Sequence, residues 1–186
     1  MQAHNLKIIS IIKITLELLD ITVIDRAENL THTLNMILSE LLESDLVFPK
    51  IGCASKEELI SKLVEKIYSS GRILPLPPEE LLDKIQMREQ IGGTLLPTGL
   101  SVPHVRLNYE GFVITLASPK EPIFHEGIQV RLMALMISSQ SGGPHYLPTL
   151  AALTKISRDA DYLSRLCAAG NPEDFISILK ERDSEL

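Results

Sequence analysis

Leu95-Leu96-Pro97-Thr98-Gly99-Leu100-Ser101-Val102-Pro103-His104-Val105-Arg106 sets one histidine directly after a proline, in an apolar run of strand type that follows a segment rich in turn residues. Proline fixes its own φ and drives the residue before it into an extended conformation, so Val102-Pro103-His104 holds the imidazole at a defined angle. Proline also cannot donate to a sheet ladder. The segment is therefore expected at a sheet edge, a bulge or a strand terminus, where a side chain meets solvent or a partner. A titratable ring on a rigid backbone suits catalysis.

Working upstream, Gly92-Gly93 ends a helix that Pro77-Pro78-Glu79-Glu80 opens, with proline in the first turn and carboxylates near the positive end of the helix dipole. Leu81, Leu82, Ile85 and Met87 carry it to about Ile91. Before it, Ser55-Lys56-Glu57-Glu58 reads as a capping box: the Ser55 hydroxyl accepts from the amide of Glu58 while the Glu58 side chain reaches back to the amide of Ser55. That helix is expected to run to Ser70, bury Leu59, Ile60, Leu63, Val64 and Ile67, and close at Gly71. Leu46-Val47-Phe48-Pro49 is a short extended piece, and Leu30, Leu34, Ile37, Leu38, Leu41 and Leu42 space out a helix from Arg26 to Glu43.

Downstream, Phe112–Ala117 and Val130–Ile137 are β-rich runs, the second nearly continuous as a central strand would be. Ser118–Gln129 between them reads as a loop and Ser138–Pro144 as a second, more flexible one. Helices are expected at about His145–Arg158, Asp159–Ala169 and Pro172–Arg182. Strands grouped centrally with helices towards both ends of the chain predict an α/β layer fold.

At 186 residues the chain fits one domain or a domain with an extension, and its 45% hydrophobic content excludes general disorder. A net charge of −6 argues against a nucleic-acid binder acting through a basic surface. Cys53 and Cys167 lack a CxxC spacing and read as buried, reduced thiols, which points to the cytoplasm and makes the Asn29-Leu30-Thr31 sequon a chance match. Residues 6–24 are rich in Ile and Leu, but Lys7, Lys13, Glu17 and Asp20 leave no run of the ~18 apolar residues a membrane helix needs, so no stable membrane insertion is expected. Residues 1–33 form an extension, of helix or strand type, expected to pack on the domain or on a second subunit as in a homodimer.

Arg88-Glu89, Gly92-Gly93-Thr94, Ser101-Val102-Pro103-His104 and the second histidine in His145-Tyr146-Leu147-Pro148-Thr149-Leu150 together resemble the enzyme IIA domains of the fructose/mannitol type, which include a nitrogen-regulatory branch. The resemblance covers roughly residues 34–186. It implies the mannitol-type IIA fold, a central mixed sheet flanked by helices, and a phosphotransferase component of the sugar phosphotransferase system. By resemblance, His104 would accept a phosphoryl group from the phosphocarrier protein HPr and pass it to a IIB domain, or use it as a regulatory signal. Arg88 and His145 would orient and neutralise that group, and Thr94 would offer a hydroxyl. The chain departs from the Ser-Thr-Gly-Ile-Gly-type run of many members, having Gly93-Thr94-Leu95-Leu96-Pro97-Thr98 instead.

The chemistry is consistent with those residue types. A neutral ring nitrogen is nucleophilic near pH 7, and phosphoryl transfer needs positioning together with donors and cations around the phosphoryl oxygens. By itself His104 would read as structural; the Pro-His context, the second histidine and Arg88 together favour the acceptor. His145 is expected at a helix N-terminus where free amides favour an anion, with Pro148 in the first turn. Arg106 reads as serving the rim or a partner's charge. His4, His32 and His125 match no motif, and His125 reads as exposed. No HExxH or CxxC occurs and no cysteine or carboxylate sits at ligand spacing, so no metal is expected; no nucleotide loop or nucleophile elbow occurs, and no cofactor is implied. No permease span or cysteine-bearing IIB stretch is read, so any sugar transport would use other polypeptides, and a regulatory role is favoured. The rival from another class is a binding module with the same fold that controls a transporter or kinase by docking alone.

Overall fold

The computed structural model describes residues 38–140 and 143–184, with side chains through residue 181. The extension at residues 1–33, His4, His32 and most of the helix expected from Arg26 lie outside those residues; 38–41 are helical. In chain order a 3-10 turn at Ser44–Leu46 leads into β1 (Val47–Ile51), α1 (Lys56–Ser69), α2 (Pro78–Ile91), β2 (Leu100–Ser101), β3 (His104–Leu107), β4 (Phe112–Pro119), β5 (Ile123–His125), β6 (Ile128–Val130), β7 (Leu132–Ser139), α3 (Gly143–Arg158), α4 (Ala160–Ala168) and α5 (Pro172–Ser184).

The main sheet runs β1-β4-β7-β2, with β3 also paired to β7. Strand β1 is parallel to β4, β4 antiparallel to β7, and β2 and β3 both parallel to β7, so the sheet is mixed as expected. All eight residues of β7 are buried, which is why Leu132–Ile137 is apolar without alternation. The two faces of the sheet carry separate cores. Leu59, Ile60, Leu63, Ile67, Leu81 and Ile85 bring α1 and α2 against Val105, Leu135 and Ile137. Ala152, Leu153, Ile156, Leu163, Leu166 and Phe175 bring α3, α4 and α5 against Ile114, Ala134 and Met136 on the other face. Each fully buried Leu or Ile contributes about 1.5–3 kcal/mol relative to exposure.

Several local readings change. The capping box forms with a shift of one residue: the Glu58 amide donates to Ser55 Oγ at 3.1 Å, but the Glu58 carboxylate accepts from the amide of Ala54 at 2.6 Å, not from that of Ser55. Met87 is 63% and Leu147 62% exposed, because each falls off the buried stripe of its helix. The supposed loop at 118–129 contains most of a two-stranded hairpin, β5–β6, turned by Glu126 (φ 51°) and Gly127 (φ 80°), two successive left-handed residues that match strand twist. His125 is half-buried rather than exposed, its Nδ1 3.3 Å from Glu57 Oε1. The long run at 130–137 breaks at Arg131, whose amide turns to the Gly99 carbonyl at 2.8 Å. Helix α3 starts at Gly143, which places Pro148 in its second turn and leaves the Pro144 carbonyl without its usual partner four residues on. Both cysteines are free thiols, half-buried rather than buried.

Candidate functional site

Strand β3 is an edge strand, paired only with β7, one of the placements a proline before it allows. Pro103 interrupts the edge between β2 and β3, yet its carbonyl still accepts from Met136 N at 2.9 Å, so both pieces stay on β7. The approach is a tight reversal: Gly99 N donates to the Leu96 carbonyl at 2.9 Å and Leu96 N to the Leu100 carbonyl at 2.8 Å. Gly99 has φ +89°, and a Cβ there would stand 2.7 Å from the Gln129 carbonyl oxygen and 2.8 Å from Arg131 Cγ. A glycine is needed for conformation and for space alike.

His104 opens β3 with its ring half-buried. Its Nδ1 lies 3.0 Å from the Val102 carbonyl. A carbonyl only accepts, so Nδ1 carries the proton and Nε2 keeps the lone pair. Burial is the main cause that holds the His104 pKa below the usual histidine value; the Val102 bond and Glu89 push it up, Arg88 and Arg106 push it down. The neutral, nucleophilic form is thereby favoured near neutral pH.

Helix α2, whose last turn holds Arg88, packs against β3 with Leu81 and Ile85 in one core with Val105. Arg88 lies there, its Nη1 donating to the carbonyl of Gly92 at 3.0 Å, and its charge acts on His104. Glu89 beside it forms a buried ion pair with Lys56 at 2.6 Å and accepts from the Thr94 hydroxyl at 2.8 Å and, more weakly, from the Thr94 amide at 3.4 Å. The Thr94 carbonyl in turn accepts from Val102 N at 3.1 Å. Lys56, at the start of α1, is therefore linked through Glu89 and Thr94 to the residue whose carbonyl sets the His104 ring.

From the opposite face, α3 brings Tyr146 and His145. The buried Tyr146 ring is 5.8 Å from the His104 ring, and His145 is exposed with its ring 5.9 Å from Phe112. Phe112 and Arg106 flank Ser138 on either side of β7, so these residues share the sheet face on which His104 stands. Arg106 lies over the Tyr146 ring at 4.7 Å from its centroid.

Of the expected site residues, Thr94 is bonded to Val102 in the segment before His104, Arg88 to the Gly92 carbonyl at the end of α2, and His145 stands on α3 against Phe112. Sequence reading missed Lys56, Tyr146 and the part played by Glu89. Lys56 sat inside a helix-start motif and Tyr146 beside the second histidine, and nothing local distinguishes a lysine that will be buried from one on a solvated turn.

A sequence model described as "Phosphoenolpyruvate-dependent sugar phosphotransferase system, EIIA 2" matches residues 40–182. The 2-O-alpha-mannosyl-D-glycerate-specific EIIABC component of Escherichia coli is 28% identical over 153 residues, 79% of this chain but only 23% of that protein. The Nitrogen regulatory protein of the same organism is 28% identical over 156 residues, 78% of this chain and 91% of its own. The IIA chain in the solved complex of the E. coli mannitol enzyme IIA with phosphorylated IIB superimposes with a TM-score of 0.61 at 20% identity, covering 76% of this chain and 98% of that one, which shows the shared fold.

Proposed function

The chain belongs to the EIIA 2 family of the phosphoenolpyruvate-dependent sugar phosphotransferase system, and on that premise we propose that it is a phosphoryl carrier that accepts its group on Nε2 of His104. The observation that carries this reading is the 3.0 Å bond from Nδ1 to the Val102 carbonyl, which leaves Nε2 as the nucleophilic nitrogen of a half-buried ring. The Nε2 lone pair attacks the phosphorus of a phosphohistidine donor such as HPr. A new N–P bond forms, the donor's N–P bond breaks, and its electron pair returns to the donor imidazole. The proton stays on Nδ1, and the Val102 carbonyl stabilises the positive charge the ring acquires.

Arg88 and His145 neutralise and orient the phosphoryl oxygens; Arg88 exchanges its bond to Gly92 for an oxygen of higher charge. Thr94 contributes by holding the loop, and offers its hydroxyl only by giving up Glu89. Residues 34–186 form this domain and residues 1–33 an extension, a division consistent with the matched span of 40–182. The reaction belongs in the cytoplasm, where the group passes to a IIB domain or acts as a signal to a regulated transporter or kinase.

The test is phosphorylation of the purified chain by phosphoenolpyruvate, enzyme I and HPr, read by intact mass under alkaline conditions. One acid-labile phosphoryl group is expected on the wild type and none on His104→Ala. A folded wild type that gains nothing from a competent donor would instead identify a docking module with this fold.

A further inference from the structure

Arg106 is the next residue after His104 on the same face of β3, since side chains alternate along a strand. Its guanidinium covers the Tyr146 ring, and the same buried ring stands beside His104, so one aromatic platform holds both the acceptor and a cation. Across the sheet, Arg106 is in register with Ser138 and Ser138 with Phe112, whose ring faces His145. Arg106 therefore lies on the sheet row that joins the acceptor's platform to the second histidine.

Its charge is also uncommitted. Arg72 is held by Glu43 and Asp45, and Arg165 by Glu181, whereas Arg106 forms no ion pair among the described residues. A guanidinium stacked on an aromatic ring keeps its fork of N–H donors free in the plane, pre-organised for two oxygens of an anion.

We propose that Arg106 is a catalytic residue of this site, which binds oxygens of the phosphoryl group on His104 and so stabilises the phosphorylated chain itself. The proposal rests on the carrier reading. Arg106 gains and loses no proton; it neutralises charge on the transferred group before and after the N–P bond forms at Nε2. This separates it from a docking residue. A group that only steers the donor speeds both directions equally and leaves the final partition of phosphoryl between the two proteins untouched, whereas a group that binds the product shifts it.

The experiment equilibrates the full chain with HPr that has been phosphorylated and freed of enzyme I, and measures the phosphoryl group on each protein by alkaline intact mass. Wild type, Arg106→Gln and Arg106→Lys are compared, together with the rate of approach. The side chain is exposed, so neither substitution disturbs the core. Arg106→Gln is expected to shift the partition about tenfold towards HPr, the loss of one charge-assisted hydrogen bond, and Arg106→Lys to recover part of it. An unchanged partition in Arg106→Gln, reached at any rate, overturns the proposal and leaves the carrier reading intact. Failure of the wild type itself to take phosphoryl from competent HPr overturns the carrier reading, and this proposal with it.

Discussion

His104 is kept neutral chiefly by burial, with the charges of Arg88 and Arg106 adding to that effect and Glu89 opposing it. Its folded pKa lies below the unfolded value of about 6.5, so the unfolded chain binds more protons as pH falls through that region. The stability His104 contributes is therefore present above about 6.5 and lost as pH drops towards the folded pKa, and the acid limb of phosphoryl acceptance should likewise lie below 6.5. Arg88→Gln removes a charge that disfavours the protonated ring, so the His104 pKa should rise. A nuclear magnetic resonance titration of the ring protons reads this directly, and an unchanged or lower value would show that Arg88 does not face the ring. Legibility at this scale was uneven. Pro103-His104 and Arg88 stand out as a motif, whereas Tyr146 becomes significant only once α3 is laid against the face that holds His104.

The element that presents His104 depends on its reversal. Gly99 takes a left-handed φ that costs another residue about 1–2 kcal/mol, and the added Cβ also meets the Gln129 carbonyl at 2.7 Å. Gly99→Ala should therefore lower stability in urea by at least that amount and slow phosphoryl acceptance, because β2 and β3 leave this turn together. Native stability with native acceptance would mean the reversal is not what positions the ring. Two helices were readable since their signals are local: Ser55 caps α1 and Pro78 starts α2. The β5–β6 hairpin was not, because Glu126-Gly127 lacks the Asn-Gly or Asp-Gly signal and the strands on either side have three residues each.

Across the whole molecule, one buried contact ties both helices of a face to the site. Lys56 begins α1 and Glu89 lies near the end of α2; their side chains are 3% and 10% exposed, and the carboxylate also holds Thr94. Removing one partner strands the other's charge, so Lys56→Met should cost about 3–5 kcal/mol in urea unfolding. In the double variant Lys56→Met, Glu89→Gln no charge is left unpaired, and the glutamine carbonyl still accepts from Thr94. That variant should be more stable than Lys56→Met alone. Strict additivity of the two substitutions would show that the pair is not coupled, and a Lys56→Met cost below about 1 kcal/mol would show that water reaches it.

By itself the sequence determined what is local: the caps and prolines that start helices, the apolar run that reads as a central strand, and the Pro-His step that belongs at an edge, a bulge or a strand terminus. These follow from steric limits on single residues and from hydrophobic periods a few residues long. Only the tertiary structure decided which face of the sheet each helix covers, and hence that Lys56 supports the loop before His104 while Tyr146 stands beside its ring and Arg106 lies over Tyr146. Residues 56 and 89, and residues 104 and 146, meet because strands and helices distant in the chain bury their apolar faces together, and no short window of sequence contains those pairings.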